Sequence, residues 1–442
     1  MPNKSVIPGA PGSAGANAPS VAGVDFGTTN SVVAMLGADG VVRTARFAVG
    51  GAELDVFRTV LAFWREEGGG RATLQHAAGP HAIEAYLDDP LSTRLIMSMK
   101  TYLAQRSFSQ TSIHGRPHTL EQLAGLFLRA LAGDAGVGGG SARIVAGRPV
   151  RFAGEQADDA LGETRLREAY RQAGLGEVDV AFEPEAAGYR FTRALDAPAT
   201  VLIGDFGGGT SDFSLLRFEP RAARRVTSLA ATGVGVAGDA FDYRIMDHVV
   251  SPRLGKGGTY RVWDKEMPVP VEFYAGFAHW HRLSLMRTPR ILREIAGVAR
   301  TASRPDGLHA LMRLIEEELG WQLYRTVSAV KAELSRAPQA VLRFRHAGIA
   351  IEETITRVDF EQWIVPDLAR LSAAVDQALA RASLSEADVD RVFLTGGTSF
   401  VPAVRTLFEQ RFGADRISAG GEFVSVAEGL ALIGRDRAGL DA

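Results

Sequence analysis

The chain has no cysteine. A disulfide framework, a thiolate nucleophile and cysteine-ligated zinc are therefore excluded, and the nine histidines show no metal-ligand spacing, so no metal cluster is expected. No stretch approaches the roughly 18 uninterrupted apolar residues of a membrane span. An excess of one charge is also missing, since 49 Lys and Arg stand against 51 Asp and Glu. With no basic run interleaved with aromatics, neither nucleic acid nor an acidic membrane surface is expected as the main partner. The first twenty residues, rich in Gly, Ala, Pro, Ser and Asn, lack the continuous apolar block of an export signal and read as a disordered tail. All of this is compatible with a cytoplasmic location.

What the chain does have is length and a repeated glycine turn. At 442 residues it exceeds what one hydrophobic core usually serves, so two lobes or more are expected. The apolar run Thr200 to Ile203 feeds Gly204-Asp205-Phe206-Gly207-Gly208-Gly209-Thr210-Ser211-Asp212, after which the chain re-extends through Phe213, Leu215 and Leu216. That pattern reads as strand, tight turn, strand. Three residues without Cβ can aim their N–H groups at one locus, which suits phosphate oxygens, and Asp205 offers the hard oxygen that a phosphate-bound Mg²⁺ needs, directly or through water. A purely structural hairpin is the alternative. Earlier, Val24-Asp25-Phe26-Gly27-Thr28-Thr29-Asn30-Ser31 repeats the design between an apolar strand and Val32 to Leu36. Two such turns suggest two similar lobes gripping one polyphosphate.

Along the chain, extended segments are expected at Val41 to Arg46 and Thr59 to Trp64, divided by Gly50-Gly51 and closed by Gly68-Gly69-Gly70. Leu91, Leu95, Met99 and Leu103 share one face of a helix predicted over Leu91 to Ala104, with Lys100 beside the stripe as an ordinary solvated lysine. Further helices are expected over Thr119 to Leu131 and Glu155 to Gln172, with a flexible loop at Gly133 to Gly140 between them and a strand at Arg143 to Ala146. Strand Val178 to Phe182 runs into Glu183-Pro184-Glu185-Ala186-Ala187-Gly188, so Glu183 sits at a helix start, either meeting a ligand or capping the helix. Ala230 to Val236 leads to Gly238-Asp239-Ala240-Phe241-Asp242, whose aspartates the helix macrodipole alone could explain. Residues 251 to 320, with Trp263 and Trp280, read as an inserted helical subdomain patterned over Phe273 to Leu285 and Leu308 to Leu319. A helix over Trp321 to Ser335, strands at Val341 to Arg345 and Ile349 to Ile355, and one long helix over Val358 to Ala382 follow. Strand Arg391 to Leu394 then enters Thr395-Gly396-Gly397-Thr398-Ser399, and Pro402 opens a helix to Phe412, a sequence that lets backbone and helix N-terminus approach a nucleotide.

Taken together, Val24 to Ser31, Asp205 to Thr210 and Leu394 to Ser399 resemble the three ATPase signatures of the seventy-kilodalton heat-shock chaperones, in the same order and at similar wide spacing, over about Val21 to Gly434. The resemblance implies a two-lobed, actin-like α/β ATPase with duplicated ribonuclease H-like domains and helical insertions. Lobe I would span 21–200, with an inserted subdomain at about 57–118, and be completed by about 421–438; lobe II would span 201–420 with its insertion at about 251–320. It further implies that Asp25 and Asp205 hold the hydration shell of Mg²⁺, and that Gly27, Thr28, Thr29, Asn30 and Gly207, Gly208, Gly209 and Thr210 cradle the β- and γ-phosphates. Lys100 is similar to the phosphate-contacting lysine and Glu183 to the glutamate that orients the attacking water, with Asp205, Thr210 and Asp212 beside it. Gly238, Asp239, Lys331, Ser335, Gly396, Gly397 and Ser399 fall where ATP or ADP is held.

Two departures concern the base: Ser328 stands where a glutamate is usual, and Phe400 where an arginine commonly stacks. A third is the stop at Ala442, which leads to the expectation of a short, bacterial chaperone-like member without the peptide-binding β-sandwich and lid. The leading functional reading is a cytoplasmic, Mg²⁺-dependent ATP-binding chaperone-like protein with slow hydrolysis, its lobes closing on nucleotide and its protein partner unspecified. A non-hydrolysing, nucleotide-gated interaction module and a small-molecule kinase of the same superfamily are the alternatives.

Overall fold

Two sheets of one topology carry the chain, and in each the central strand has an aspartate at or next to its last residue. The structure is a computed structural model that describes residues 21–49, 52–68, 71–90, 92–137, 142–152, 157–192, 197–219, 226–278, 283, 286–419 and 424–440. The expected tail at 1–20, the glycines at 50–51 and 69–70, Leu91, the later part of the 133–140 loop and Trp280 lie outside the described residues.

The first sheet contains β1 (Val21–Asp25), β2 (Asn30–Leu36), β3 (Val42–Thr44), β4 (Arg143–Arg148) and β5 (Asp179–Phe182). β1 is central, antiparallel to β2 and parallel to β4, with β3 outside β2 and β5 outside β4. The second contains β6 (Ala199–Phe206), β7 (Ser211–Phe218), β8 (Val226–Val234), β9 (Arg391–Thr395) and β10 (Ile417–Ala419). Its order repeats the first: β6 is antiparallel to β7 and parallel to β9, with β8 and β10 at the edges. The register puts Asp205 between Asp212 on one side and Thr395 on the other. Runs such as Val201-Leu202-Ile203 are buried on both faces, which is why they read as unbroken apolar segments instead of alternating ones.

Helices cover the sheets. α1 (Leu120–Asp134) begins in a capping box, Thr119 accepting from the Gln122 N–H while the Gln122 side chain accepts from the Thr119 N–H. α2 (Asp159–Gln172) is capped by Asp158. α3 (Glu183–Thr192) starts directly at the end of β5. α4 (Gly238–Ile245), α5 (Pro289–Ala299), α6 (Pro305–Glu316), α7 (Gly320–Leu334), α8 (Arg357–Trp363), α9 (Val365–Ala382), α10 (Pro402–Phe412) and α11 (Ser425–Arg437) follow. α11 returns to the first sheet: a Cβ on Gly23 of β1 would lie 2.1 Å from the Ala427 carbonyl oxygen, so only glycine permits that approach. α3 and α11 cross just as closely, a Cβ on Gly429 meeting the Ala186 oxygen at 1.8 Å. Each sheet has its own core, and a third cluster joins them through Val21 and Val145, Ile203 and Phe218, and Ala186, Leu430 and Ile433 of the two crossing helices.

Several expected elements differ. Leu95 is not helical: strand Arg94–Met97 pairs with Val60–Gly68, placing Leu95 opposite Ala62, and Ser98 at φ +55° separates it from a single helical turn, Met99–Tyr102. The fourfold leucine spacing therefore joined a strand to a turn. The helix expected over Val358 to Ala382 is two helices, parted at Ile364, because Pro366 has no N–H to carry the ladder across. β8 begins at Val226, earlier than expected. The 251–320 region is not purely helical: it holds a hairpin, Thr259–Val262 with Lys265–Pro268, a 3-10 segment at Val271–Ala278 and α5, which the pattern had not indicated.

Candidate nucleotide site

The two acidic turns meet. A Cβ on Gly208 would fall 2.0 Å from Thr29 Oγ1, so the tip of the second turn touches the first. Between them opens one cavity of about 820 Å³. Asp25, Gly27, Thr28, Thr29 and Asn30 line it from the first sheet, and Asp205, Gly207, Gly208 and Thr210 from the second. Gly238 and Asp239 at the start of α4, Lys331 on α7 and Ser335 just after it, and Gly396 and Gly397 after β9 line it as well. Gly209 and Ser399 stand outside that lining; Ser399 Oγ donates back to the Gly396 oxygen at 2.6 Å. Phe400 is also absent from the lining and 48% exposed, so the position expected to stack on a base faces solvent here.

Local geometry explains each placement. Gly396 has φ +88° and a Cβ there would lie 2.1 Å from the Phe206 oxygen, so the turn after β9 can nest against the end of β6 only with glycine. Glu183 reaches the cavity from the first residue of α3 past Gly147, where a Cβ would stand 3.0 Å from Glu183 Cγ. Lys100, whose local pattern alone reads as solvated and whose resemblance implies a phosphate contact, lines the cavity largely out of solvent, and its Nζ donates to Glu183 Oε1 at 2.6 Å.

Electrostatically the floor is an acidic cluster with one cation. Burial first, then Glu183 and Asp205, push the Asp25 carboxyl up to about 8, with Lys100 opposing. Burial, Glu183 and Asp212 push Asp205 up to about 7, and burial and Glu183 raise Asp212 to about 7 although the Thr210 hydroxyl donates to it at 3.4 Å. Burial alone would lower Lys100, but the fields of Glu183 and Asp25 outweigh it and hold the ammonium above its usual range. Among the described residues no three acidic or histidine side chains form a direct metal cage. The donor set nonetheless fits a hydrated Mg²⁺, which keeps several waters and is held by one or two carboxylates together with phosphate oxygens.

The opposite end of the cavity is a stripe on α7. Lys331 Nζ donates to the Gly238 oxygen at 2.9 Å and pairs with Asp242 at 2.9 Å. Ser328 donates to the other Asp242 oxygen at 2.7 Å, and Tyr324 Oη donates to Asp239 at 3.4 Å. The Ser328 departure thus has a partner: a serine there hydrogen-bonds the buried Asp242, where a glutamate would confront a like charge. Arg58, Arg151 and Tyr324 also line the cavity, and sequence reasoning missed them. Arg58 sits on a two-residue strand paired to Asn30, and nothing in its local sequence marks it.

The family described as Hsp70 protein matches residues 110–259 and 315–439. The chain belongs to the Hsp70 family. It is similar to the chaperone protein DnaK of Thermus thermophilus, 27% identical over 319 residues covering 69% of this chain and 42% of that protein. It is also similar to DnaK of Thermotoga maritima, 26% identical over 93% of this chain and 58% of the relative, and to the HscA homolog of Bordetella pertussis, 27% identical over 93% and 57%. The chain thus spans about half the length of these curated relatives. Hsp70 proteins are ATP-binding chaperones with a two-lobed actin-like fold, and the mixed α/β architecture seen here agrees with it. No described helix is long and apolar enough to cross a membrane.

Proposed function

We propose that this Hsp70 member binds Mg²⁺-ATP between two lobes, hydrolyses it slowly, and uses the resulting lobe closure in a chaperone-like role. The lobes are duplicated ribonuclease H-like units, residues 21–200 completed by 421–438, and residues 201–420. The observation that carries the reading is the contact of the two glycine turns at Thr29 and Gly208, with Asp25 and Asp205 in one buried acidic cluster beneath. Bound Mg²⁺ would supply the charge neutralisation that brings a triphosphate to four carboxylates. The chain's own groups do the rest. Backbone N–H groups at Gly207 to Thr210 and the Thr28 and Thr29 hydroxyls hold phosphate oxygens, and Lys100 adds a fixed positive charge. Glu183 orients the water, and Asp205 or Asp212, whose carboxylates bind protons near neutrality, takes its proton.

Single-turnover hydrolysis with calorimetric titration tests this. Thr210→Ala and Glu183→Gln are expected to slow cleavage by roughly 10²–10³-fold while ATP affinity stays within a few-fold. Glutamine is chosen because truncating Glu183 would leave Lys100 buried without its partner. Hydrolysis at wild-type rate in both variants removes the catalytic assignment, and bound but uncleaved ATP in the wild-type chain would instead support the nucleotide-gated module.

A further inference from the structure

The match to the family skips residues 260–314. The nearly balanced charge of the chain conceals a local excess: residues 251–304 carry ten Lys and Arg against four Asp and Glu, of which Arg253, Lys256, Arg287 and Arg290 are held in ion pairs with Glu353, Asp247, Glu318 and Glu294. From this basic insertion the hairpin Thr259–Val262 with Lys265–Pro268 stands out, every residue of its second strand exposed. Trp263 forms the tip, 94% exposed and at φ +55°, in the left-handed region that a bulky side chain adopts only under strain. Val262 next to it and Met267, opposite Tyr260 farther down the hairpin, are exposed as well. Along the free edge of the first strand runs Thr301–Ser303: the Arg261 N–H donates to the Thr301 oxygen and Tyr260 pairs with Ala302. That antiparallel pairing carries Arg300 toward the tip. Among the described residues Arg261, Lys265 and Arg300 have no ion pair.

We propose that this hairpin docks the protein on an anionic lipid surface, with Trp263, Val262 and Met267 entering the headgroup region and Arg261, Lys265 and Arg300 facing lipid phosphates. Shape selects lipid over a protein partner. An aromatic anchor in a protein interface needs a matching concave pocket, whereas a bilayer interface deforms around a convex indole and favours it at that depth. Asp264 opposes the attraction, while Glu266 is turned back onto the Thr259 hydroxyl. Arg261, Lys265 and Arg300 outnumber Asp264 at the tip, which makes the attraction salt-sensitive. Trp263 lies outside the lining of the nucleotide cavity, so this proposal stands apart from the nucleotide reading.

Co-sedimentation of the full chain with vesicles of phosphatidylcholine alone, or of phosphatidylcholine mixed with phosphatidylglycerol, at low and high salt, decides it. Binding is expected to the mixed vesicles only and to weaken with salt. Trp263→Ser, and separately the pair Lys265→Glu with Arg300→Glu, should each lower the partition coefficient by roughly tenfold, with nucleotide affinity unchanged as the control for folding. Shielding of an exposed tryptophan from acrylamide on mixed vesicles, absent in Trp263→Ser, would assign the contact. Failure to bind the mixed vesicles, equal binding to neutral ones, or undiminished binding by Trp263→Ser overturns the proposal; an acidic protein as the true partner gives the first of these.

Discussion

Asp25, Asp205 and Asp212 keep their protons to about pH 8, 7 and 7, while in the unfolded chain each ionises near 3.8. Between about pH 4 and 8 the unfolded state therefore releases protons that the folded state retains, and folding stability falls as pH rises through that window. Thermal unfolding of the ligand-free protein should show Tm declining from pH 5.5 to 8.5, and Asp212→Asn should flatten the decline. Saturating Mg²⁺-ADP should flatten it too, since a cation beside the carboxylates stabilises their charged forms. A Tm that climbs over this range would contradict the burial of these groups. At Gly208 the issue is steric: a Cβ there would stand 2.0 Å from Thr29 Oγ1 and 3.1 Å from Thr29 Cβ, so Gly208→Ala displaces the Thr29 hydroxyl from its phosphate-facing position or pushes the turns apart. Turnover should fall by roughly 10²-fold with Tm nearly unchanged, measured by steady-state hydrolysis and calorimetry. The glycines and aspartates were legible because their requirement is local, a backbone that approaches a ligand or a neighbouring turn without a side chain. Lys100 was legible only through the resemblance, because its local pattern reads as a solvated lysine and its partner Glu183 lies 83 positions away in the chain.

Among elements, the crossing of α3 and α11 joins the two sheets. Gly429 meets the Ala186 backbone oxygen, which cannot swing aside as a side chain could, so Gly429→Ala should destabilise by about 1–3 kcal/mol. Urea unfolding would show the lowered midpoint, and an unchanged midpoint would mean the helices can separate without loss. Sequence periodicity identified most helices and most strands of the two sheets to within a few residues, since both rest on short-range apolar patterning. It failed where two kinds of element abut. Leu95 in a strand and Met99 in a helical turn mimicked one stripe, and the break at Pro366 was read through. α5 was overlooked although its apolar residues Ile291, Ile295, Val298 and Ala299 face the second core.

For the whole molecule, the two halves also touch at one side of the cavity, next to Arg58. Arg58 lies 5.8 Å from the centre of the Trp321 ring, and Tyr86 Oη donates to the Glu318 oxygen at 3.1 Å. Arg58, Tyr86 and Trp321 border one small pocket, so the two contacts form a single patch, of which Arg58 alone also lines the nucleotide cavity. Arg58→Ala is expected to speed nucleotide release roughly fivefold, about 1 kcal/mol, with a smaller change in hydrolysis within the complex. Stopped-flow displacement of a fluorescent ADP analogue would measure it, and unaltered release would show that the entrance is governed elsewhere.

Residue order along the chain determined that there would be two similar acidic glycine turns, a strand–glycine–helix unit near the end and an α/β pattern between them, because φ preferences and apolar periodicity act over a few positions. Which side chains share a cavity was decided only when the sheets closed on one another. Tertiary packing paired Lys100 with Glu183, gave Ser328 its aspartate, turned Phe400 outward and left Trp263 in water. Burial and electrostatic fields arise from atoms brought together across hundreds of positions, and no local pattern encodes them.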